Sequence, residues 1–266
     1  MMNSMQIALT KKDIRAITAN KRLFSVLLIV PLMMTVVIPS VFILAAALTP
    51  LESNDIQTFT QTFDALETMP EESEIREAII LMICNEVLPL FFLMVPILAA
   101  SVMAASSFVG EKEKRTLETL LYCPLSLRQI FDAKIIASLL LSQFVSLFSF
   151  IVMIIVVQAE VRLMTGSFVA LSLSWPILLL LISPATSLIA ISLIVRGSAK
   201  AKSVEESQQR SAFLVIPIVL LVAMQLSGFY VFSVWVLFGV GVVCAAIALI
   251  LLRRSSAKLS YEVLLK

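Results

Sequence analysis

The chain has 266 residues, of which 60% are hydrophobic and 14% charged, and its formal net charge is +2. Charged residues make up about 25% of a typical soluble domain, so this composition excludes the soluble class and predicts an integral membrane protein. The apolar stretches are continuous and do not alternate with a period of two, which predicts membrane-spanning helices and excludes a barrel.

Several classes of chemistry are excluded by residues that the chain lacks. It contains no histidine, which rules out histidine-based triads, HExxH zinc sites and haem ligation by histidine. None of the six glycines stands in a GxxxxGK[ST] frame, so we expect no phosphate-binding loop in this chain. The three cysteines lie far apart, and we predict neither a metal site nor a disulfide from them.

Six apolar segments predict six transmembrane helices in one domain, residues 1–266, because about 20 apolar residues cross the hydrocarbon core. The predicted spans are residues 23–48, 79–108, 135–157, 168–195, 211–227 and 233–252. Basic residues and spaced isoleucines in residues 1–22 predict an amino-terminal interfacial helix. The first apolar run is too long for a signal-peptide core, so we interpret it as a retained span. Prolines in several spans predict kinks.

The loop between the first two predicted spans, residues 49–78, is strongly acidic. It carries eight Asp and Glu residues against a single base, Arg76. Two interpretations fit this composition. The loop either attracts a cationic cargo or is a translocated segment that avoids Lys and Arg.

Polar residues within the spans are candidates for a substrate path. Asn85 and Glu86 lie near the start of the second span and mark either its outer boundary or an embedded functional site, since an ionisable group in hydrocarbon is costly. In the third span, Ser142, Gln143 and Ser146 belong to a stripe of hydroxyl residues. Such a stripe serves either close helix packing or a path for substrate.

The distribution of basic residues predicts the orientation. The segments at residues 1–22, 110–134, 196–210 and 253–266 hold 18 of the 20 Lys and Arg residues. By the positive-inside rule, these segments and both termini are cytoplasmic.

The longest polar stretch that carries charges of both signs between apolar segments is residues 107–134. A run of alternating charge is followed by leucines at helical spacing, and Pro124 is expected to end that helix. Ser126 and Gln129 have the spacing of a capping box, which predicts the start of the next helix. The stretch is therefore either a solvated loop or a short amphipathic helix that docks a soluble partner.

Residues 110–126, GEKEKRTLETLLYCPLS, together with Arg128, Ile130 and Lys134, resemble the cytoplasmic loop of type-2 ABC exporter permeases. In that family the loop joins spans two and three and serves as the coupling helix. The match holds in order, spacing and predicted topological position. It departs at Arg115 and Ala133, where glycine is common in the family.

The resemblance implies a permease subunit that exports a hydrophobic or amphipathic molecule, such as a peptide, drug or lipid, across a bacterial or archaeal plasma membrane. It implies partners, namely two cytoplasmic ATPase subunits and a second permease chain, identical or different, within membrane lipid and without nucleic acid. ATP and Mg²⁺ would bind the ATPases, and this chain would hold no cofactor and no metal. The residues implied to face a groove on the ATPase are Glu111, Glu113, Arg115, Leu117, Glu118 and Leu121.

Two other function classes remain as alternatives. A self-sufficient secondary transporter or channel is expected to show embedded charges and an internal repeat, and the sequence shows no clear repeat. A membrane-embedded enzyme is expected to show a histidine, a GxSxG motif or a buried acid pair.

Overall fold

The computed structural model describes residues 4–48, 72–113, 124–166, 168–198, 203–226 and 234–257. Within these ranges all regular structure is helical, and no residue is in a strand. The predicted all-α class is confirmed. Several predicted features lie outside the described residues, including most of the acidic loop and residues 114–123 of the loop that resembles a coupling helix.

Twelve α-helices and three π-helical turns make up the described chain. The α-helices are α1 Ser4–Ala19, α2 Lys21–Leu32, α3 Ile38–Leu48, α4 Glu72–Met82, α5 Leu88–Phe92, α6 Met94–Glu113, α7 Leu127–Thr165, α8 Ser174–Ile177, α9 Ser183–Ser198, α10 Val204–Ala212, α11 Val215–Leu226 and α12 Val234–Ala257. The π-helical turns are π1 Met33–Val37, π2 Ile83–Val87 and π3 Leu178–Ile182.

Five helical stretches of the described chain are long and apolar enough to cross a membrane. They are Leu23–Ala46, Arg76–Glu111, Leu127–Thr165, Ser174–Ser198 and Val234–Arg254. The predicted span 211–227 is not among them. It contains a break between α10 and α11, and the 12 residues of α11 reach only about 18 Å, less than the hydrocarbon thickness of about 30 Å.

The boundaries of three spans differ from the predicted ones. The second helical stretch already begins at Glu72, inside the predicted loop 49–78, and continues through Glu113. The predicted third span, 135–157, is the middle of the longer helix α7. The predicted fourth span, 168–195, is corrected at its start, because residues 168–172 are not helical and α8 begins at Ser174.

The stretch from α4 to α6 is the central helix of the bundle. Its most apolar window is 83% buried, whereas the corresponding window of α12 is 17% buried. Helices α7 and α9 pack against α6, and α12 packs outside α9. An aromatic cluster joins α5, α7 and α8, since the rings of Phe92, Phe150 and Trp175 have centroids 5.1 to 5.8 Å apart.

Helix α1 packs against the beginning of α7 and therefore contacts protein along one face. The buried side of α1 includes Thr10, Asp13 and Ile17, while Ile7, one of the isoleucines expected to contact lipid, is exposed. The break between α1 and α2 is at Asn20, whose side chain accepts a hydrogen bond from the Leu23 N–H and caps α2.

Three prolines determine where the spans widen into π-helical turns. Each of Pro39, Pro89 and Pro184 comes two residues after the end of such a turn. Proline has no N–H for the carbonyl four residues earlier, and its ring collides with that carbonyl. In each case that residue is the central one of the π-turn: Thr35, Asn85 or Leu180. The predicted kinks therefore take the form of local widening.

The close approach of α12 to π3 requires glycine at position 241. A Cβ at Gly241 would lie 2.6 Å from Leu181 Cδ2 and 3.1 Å from Ile182 Cγ1, whereas a Cβ at Gly239 would meet no atom within 4 Å. Small residues at such contacts let helix backbones approach closely in a membrane.

We expect Gly241→Val to lower the free energy of unfolding by about 1–3 kcal/mol, because the new side chain forces π3 and α12 apart. Gly239→Val is the matched control and should leave stability nearly unchanged. Thermal unfolding of both variants in the same detergent tests this, and equal melting temperatures for the two would contradict the proposed contact.

Candidate functional site

Near the end of α6 and the beginning of α7, a lysine is buried between two carboxylates. The Lys134 Nζ lies 3.3 Å from Asp13 Oδ2 and 2.9 Å from Glu111 Oε2. It also donates to the Ser107 carbonyl at 2.8 Å and lies 5.7 Å from the centre of the Phe108 ring. The exposed fraction of the Lys134 side chain is only 3%, and that of Asp13 is 6%. We call this group the basal cluster.

Among the described residues, the charges of the basal cluster are balanced. Lys12 lies 3.2 Å from the second Glu111 oxygen, so two ammonium groups stand against the carboxylates of Asp13 and Glu111. The Ser107 hydroxyl donates to Asp13 Oδ2 at 2.9 Å and strengthens the buried side. Pairing of this kind is required, since an unpaired buried charge costs several kcal/mol, roughly 3–5 when one partner is removed.

Local sequence places Lys134 in the basal cluster. The predicted capping box is confirmed: Ser126 accepts from the Gln129 N–H, and the Gln129 side chain accepts from the Ser126 N–H. This sets the first residue of α7 and therefore the register of Lys134, two turns later. Helix α1 is held alongside, because Gln6 Nε2 and Thr10 Oγ1 donate to backbone carbonyls of α7 at 3.3 and 3.2 Å.

Helix α10 covers the adjacent end of α6. The Val204 N–H at the start of α10 donates to Glu113 Oε2 at 3.4 Å. A Cβ at Gly110 would lie 3.7 Å from Val204 Cγ2, so the two helices already approach closely there. The loop that joins α6 to α7 thus begins and ends on a surface shared by α1, α6, α7 and α10.

A second polar group lies in the middle of the bundle and joins three helices. Gln143 Nε2 donates to Ser187 Oγ at 3.0 Å, and Gln143 Oε1 accepts from Ser183 Oγ at 3.0 Å. The Ser187 hydroxyl in turn donates to the Pro96 carbonyl at 3.3 Å. These bonds connect α7, α9 and α6.

Beside Gln143 is an open cavity of about 540 Å³ between α7 and the segment from Leu171 to Leu180. Its walls are mainly Leu, Phe and Trp side chains, and its polar lining residues are Gln143, Ser146 and Ser172. Among the described residues, no charged side chain lines it. The volume is within the range of about 300–1,000 Å³ typical of small-molecule sites.

The non-helical residues 168–172 form one edge of this cavity and are held by two side-chain amides. Gln158 donates to the Val169 carbonyl at 2.7 Å and accepts from the Val169 N–H at 3.1 Å. Asn85 donates to the Ala170 carbonyl at 3.1 Å and accepts from the Ser172 N–H at 2.8 Å. Each amide therefore supplies both a donor and an acceptor to the non-helical backbone.

The model of a family described as ABC-2 family transporter protein matches residues 7–251. The chain belongs to the ABC-2 transporter family. Neither a curated protein nor a solved structure matches it. Membership supports a permease subunit of an ABC transporter, in a multi-pass membrane protein, and implies association with an ATP-binding-cassette ATPase.

The structure places two of the predicted coupling residues of this ABC-2 protein. Glu111 is in the basal cluster with 13% of its side chain exposed, and Glu113 is exposed at the end of α6. Arg115, Leu117, Glu118 and Leu121 lie outside the described residues. The contact of all six residues with an ATPase stays a prediction.

The predicted substrate-path residues separate into different environments. Gln143 and Ser146 line the cavity, whereas Ser142 is fully buried and donates to the Leu139 carbonyl of its own helix at 2.9 Å. Asn85 binds the cavity edge through the bonds described above. Glu86 is half-buried in π2.

Sequence reasoning missed Asp13 and Gln158 as important residues. Asp13 had a signal, because it is the one acidic residue among the basic residues 1–22. Gln158 had none, since its role depends on a backbone segment that was predicted to be helical. The buried serines of α7, including Ser138 and Ser149, agree with the packing interpretation of the hydroxyl stripe.

We expect Lys134→Met to lower the free energy of unfolding by about 3–5 kcal/mol, because Asp13 and Glu111 then remain buried without their shared cation. The matched control is Lys12→Met. Lys12 also pairs with Glu111, but the Lys12 side chain is 58% exposed, so its removal should lower the free energy of unfolding by only about 0–1 kcal/mol. Thermal unfolding in detergent and the yield of folded protein measure both. Similar losses for the two variants would show that burial of Lys134 is not decisive.

We expect Gln158→Leu to lower the free energy of unfolding by about 1–3 kcal/mol for each Val169 group left unpaired. Gln209→Leu, the same change at an exposed position of α10, is the control and should be close to neutral. Thermal unfolding compares the two, and hydrogen exchange should rise at Val169 only in the first variant. Unchanged exchange there would contradict the role of Gln158.

Proposed function

We propose that this chain is the permease subunit of an ABC exporter that moves a hydrophobic or amphipathic molecule out of the cell. Separate ATPase subunits would bind ATP and Mg²⁺ and carry out the hydrolysis. The observation that carries this proposal is the basal cluster, which anchors both ends of the loop between α6 and α7. A partner that pushes on this loop would therefore act on both helices at once.

The ion pairs of the basal cluster support a proposed route by which movement of the loop would reach the helices. Glu111 at the end of α6 and Lys134 at the beginning of α7 are 2.9 Å apart, and Asp13 ties α1 to the same point. A loop closed by such short contacts transmits force without first being stretched. ATP-driven movement of the ATPases would then tilt α6 and α7 together and open a path to the outside.

The proposed docking element is the segment 111–121. Leucines at helical spacing would fill a groove on the ATPase, and the flanking charges would set register and orientation. The complete assembly in this proposal contains two ATPase subunits and two permease chains. Each permease would have six spans, with α11 and adjacent residues forming the fifth, and both termini in the cytoplasm of a bacterial or archaeal cell.

The lining of the cavity supports the proposed class of cargo. Its walls are apolar, its few polar groups are uncharged, and it lies beside the hydrogen bonds of Gln143. A small inorganic ion or a sugar would lose its hydration there without adequate compensation.

We expect the double variant Glu113→Lys/Glu118→Lys to reduce recovery of the co-expressed ATPase with the permease by about tenfold, which corresponds to about 1.4 kcal/mol. The reason is reversal of the charges proposed to set the docking register. Affinity purification from membranes and ATP hydrolysis by the purified complex measure the effect.

Two controls separate docking from local structure. Glu113→Gln keeps an oxygen to accept from the Val204 N–H, so α10 should stay in place while the charge is removed. Glu205→Lys reverses an exposed charge in the first turn of α10 and should leave recovery unchanged. Normal recovery and normal transport by the double variant would refute the docking proposal.

A further inference from the structure

The cavity between α7 and residues 171–180 is open to the outside of the bundle. Leu147, Leu173 and Leu180 line it, and all are exposed. Gln143 and Phe150, which line it from α7, lie near the middle of that 39-residue helix. In a membrane, the mouth of the cavity therefore faces the hydrocarbon of the lipid, and a ligand would enter it sideways from the bilayer.

Gln143 has a second amide hydrogen that can donate to a ligand in the cavity. The Gln143 amide nitrogen carries two hydrogens, and one of them is bound by Ser187. Trp175 also lines the cavity, but only 1% of its surface is exposed and its Nε1–H is fully buried. A donor hydrogen without an acceptor is unfavourable away from water, so a ligand that brings an acceptor oxygen to Gln143 gains a hydrogen bond.

The ligand class follows from this combination. The apolar walls favour a hydrocarbon chain, and the Gln143 amide favours an ester, amide or hydroxyl oxygen on that chain. Within the part of the chain that the structure describes, no charged side chain lines the cavity to compensate an ionised headgroup. Burial of an uncompensated charge is far more costly than that of a neutral polar group.

We propose that this cavity binds one neutral amphiphile from the lipid phase, with its chain against the leucine walls and a carbonyl or hydroxyl oxygen at the Gln143 amide. This deepens the proposed function, since it names the chemistry of a molecule on the path of an exporter. Binding itself requires neither ATP nor an ATPase subunit.

The two tryptophans of the chain allow a direct test. Trp175 is in the cavity wall, whereas Trp235 on α12 is 83% exposed. The variant Trp235→Phe leaves Trp175 as the single fluorescent indole, and Trp175→Phe leaves only Trp235, which reports contact with bulk amphiphile. Both variants are placed in bilayers of an unbrominated phosphatidylcholine, without ATPase, and titrated with a monoacylglycerol whose chain is brominated.

We expect quenching of Trp175 to saturate and to be reversed by the unbrominated monoacylglycerol, while quenching of Trp235 rises in proportion to the amount added. A brominated fatty-acid anion of the same chain length should need at least a tenfold higher concentration for half-saturation at Trp175. Gln143→Met, introduced in the Trp235→Phe background, should weaken binding of the monoacylglycerol in the same direction. The anion comparison needs no change in the cavity and remains informative if Gln143→Met fails to fold.

Three results would overturn the inference. These are quenching of Trp175 that rises linearly like that of Trp235, equal binding of the anion and the neutral ester, and no quenching of Trp175 because another part of the protein fills the cavity. If the monoacylglycerol did not bind, the proposal that the chain pairs with an ATPase and exports a molecule would not be contradicted. Saturable binding by a chain that does not pair with an ATPase would instead contradict the proposed exporter.

Discussion

Water is absent from the hydrocarbon core of a membrane, so each peptide group and each charge placed there must find its partner within the protein. At the irregular features of this bundle, the protein itself supplies partners for backbone groups. Where a proline leaves a carbonyl without its N–H, the helix widens into a π-turn around that carbonyl. Where residues 168–172 leave the helical conformation, Asn85 and Gln158 supply the donors and acceptors that a neighbouring turn of helix would have supplied.

The same constraint explains the basal cluster. Lys134 is buried as a charge because Asp13, Glu111 and the Ser107 carbonyl surround its ammonium group. The cluster connects parts of the chain that are far apart in sequence, namely the first helix, the end of α6 and the beginning of α7. A charged group that could have been exposed at the membrane surface is used here to close the base of a loop.

Helix α7 connects the basal cluster with the cavity. Lys134 lies near its beginning and Gln143 only nine residues later, a rise of about 13 Å. A straight helix without an internal proline is stiff over such a distance, so a movement imposed at the loop would reach the cavity wall. In the proposed exporter, this would connect the site of energy input with the site of the neutral amphiphile.

The sequence by itself determined the membrane class and the all-helical fold, because these depend on local composition and on the length of apolar runs. It also determined the capping box of Ser126 and Gln129, whose two residues are only three apart. Only the tertiary structure decided the pairing of Asp13 with Lys134 and the roles of Asn85 and Gln158. Those contacts join residues that are distant in the chain, and hydrophobic periodicity carries no information about which distant polar groups meet.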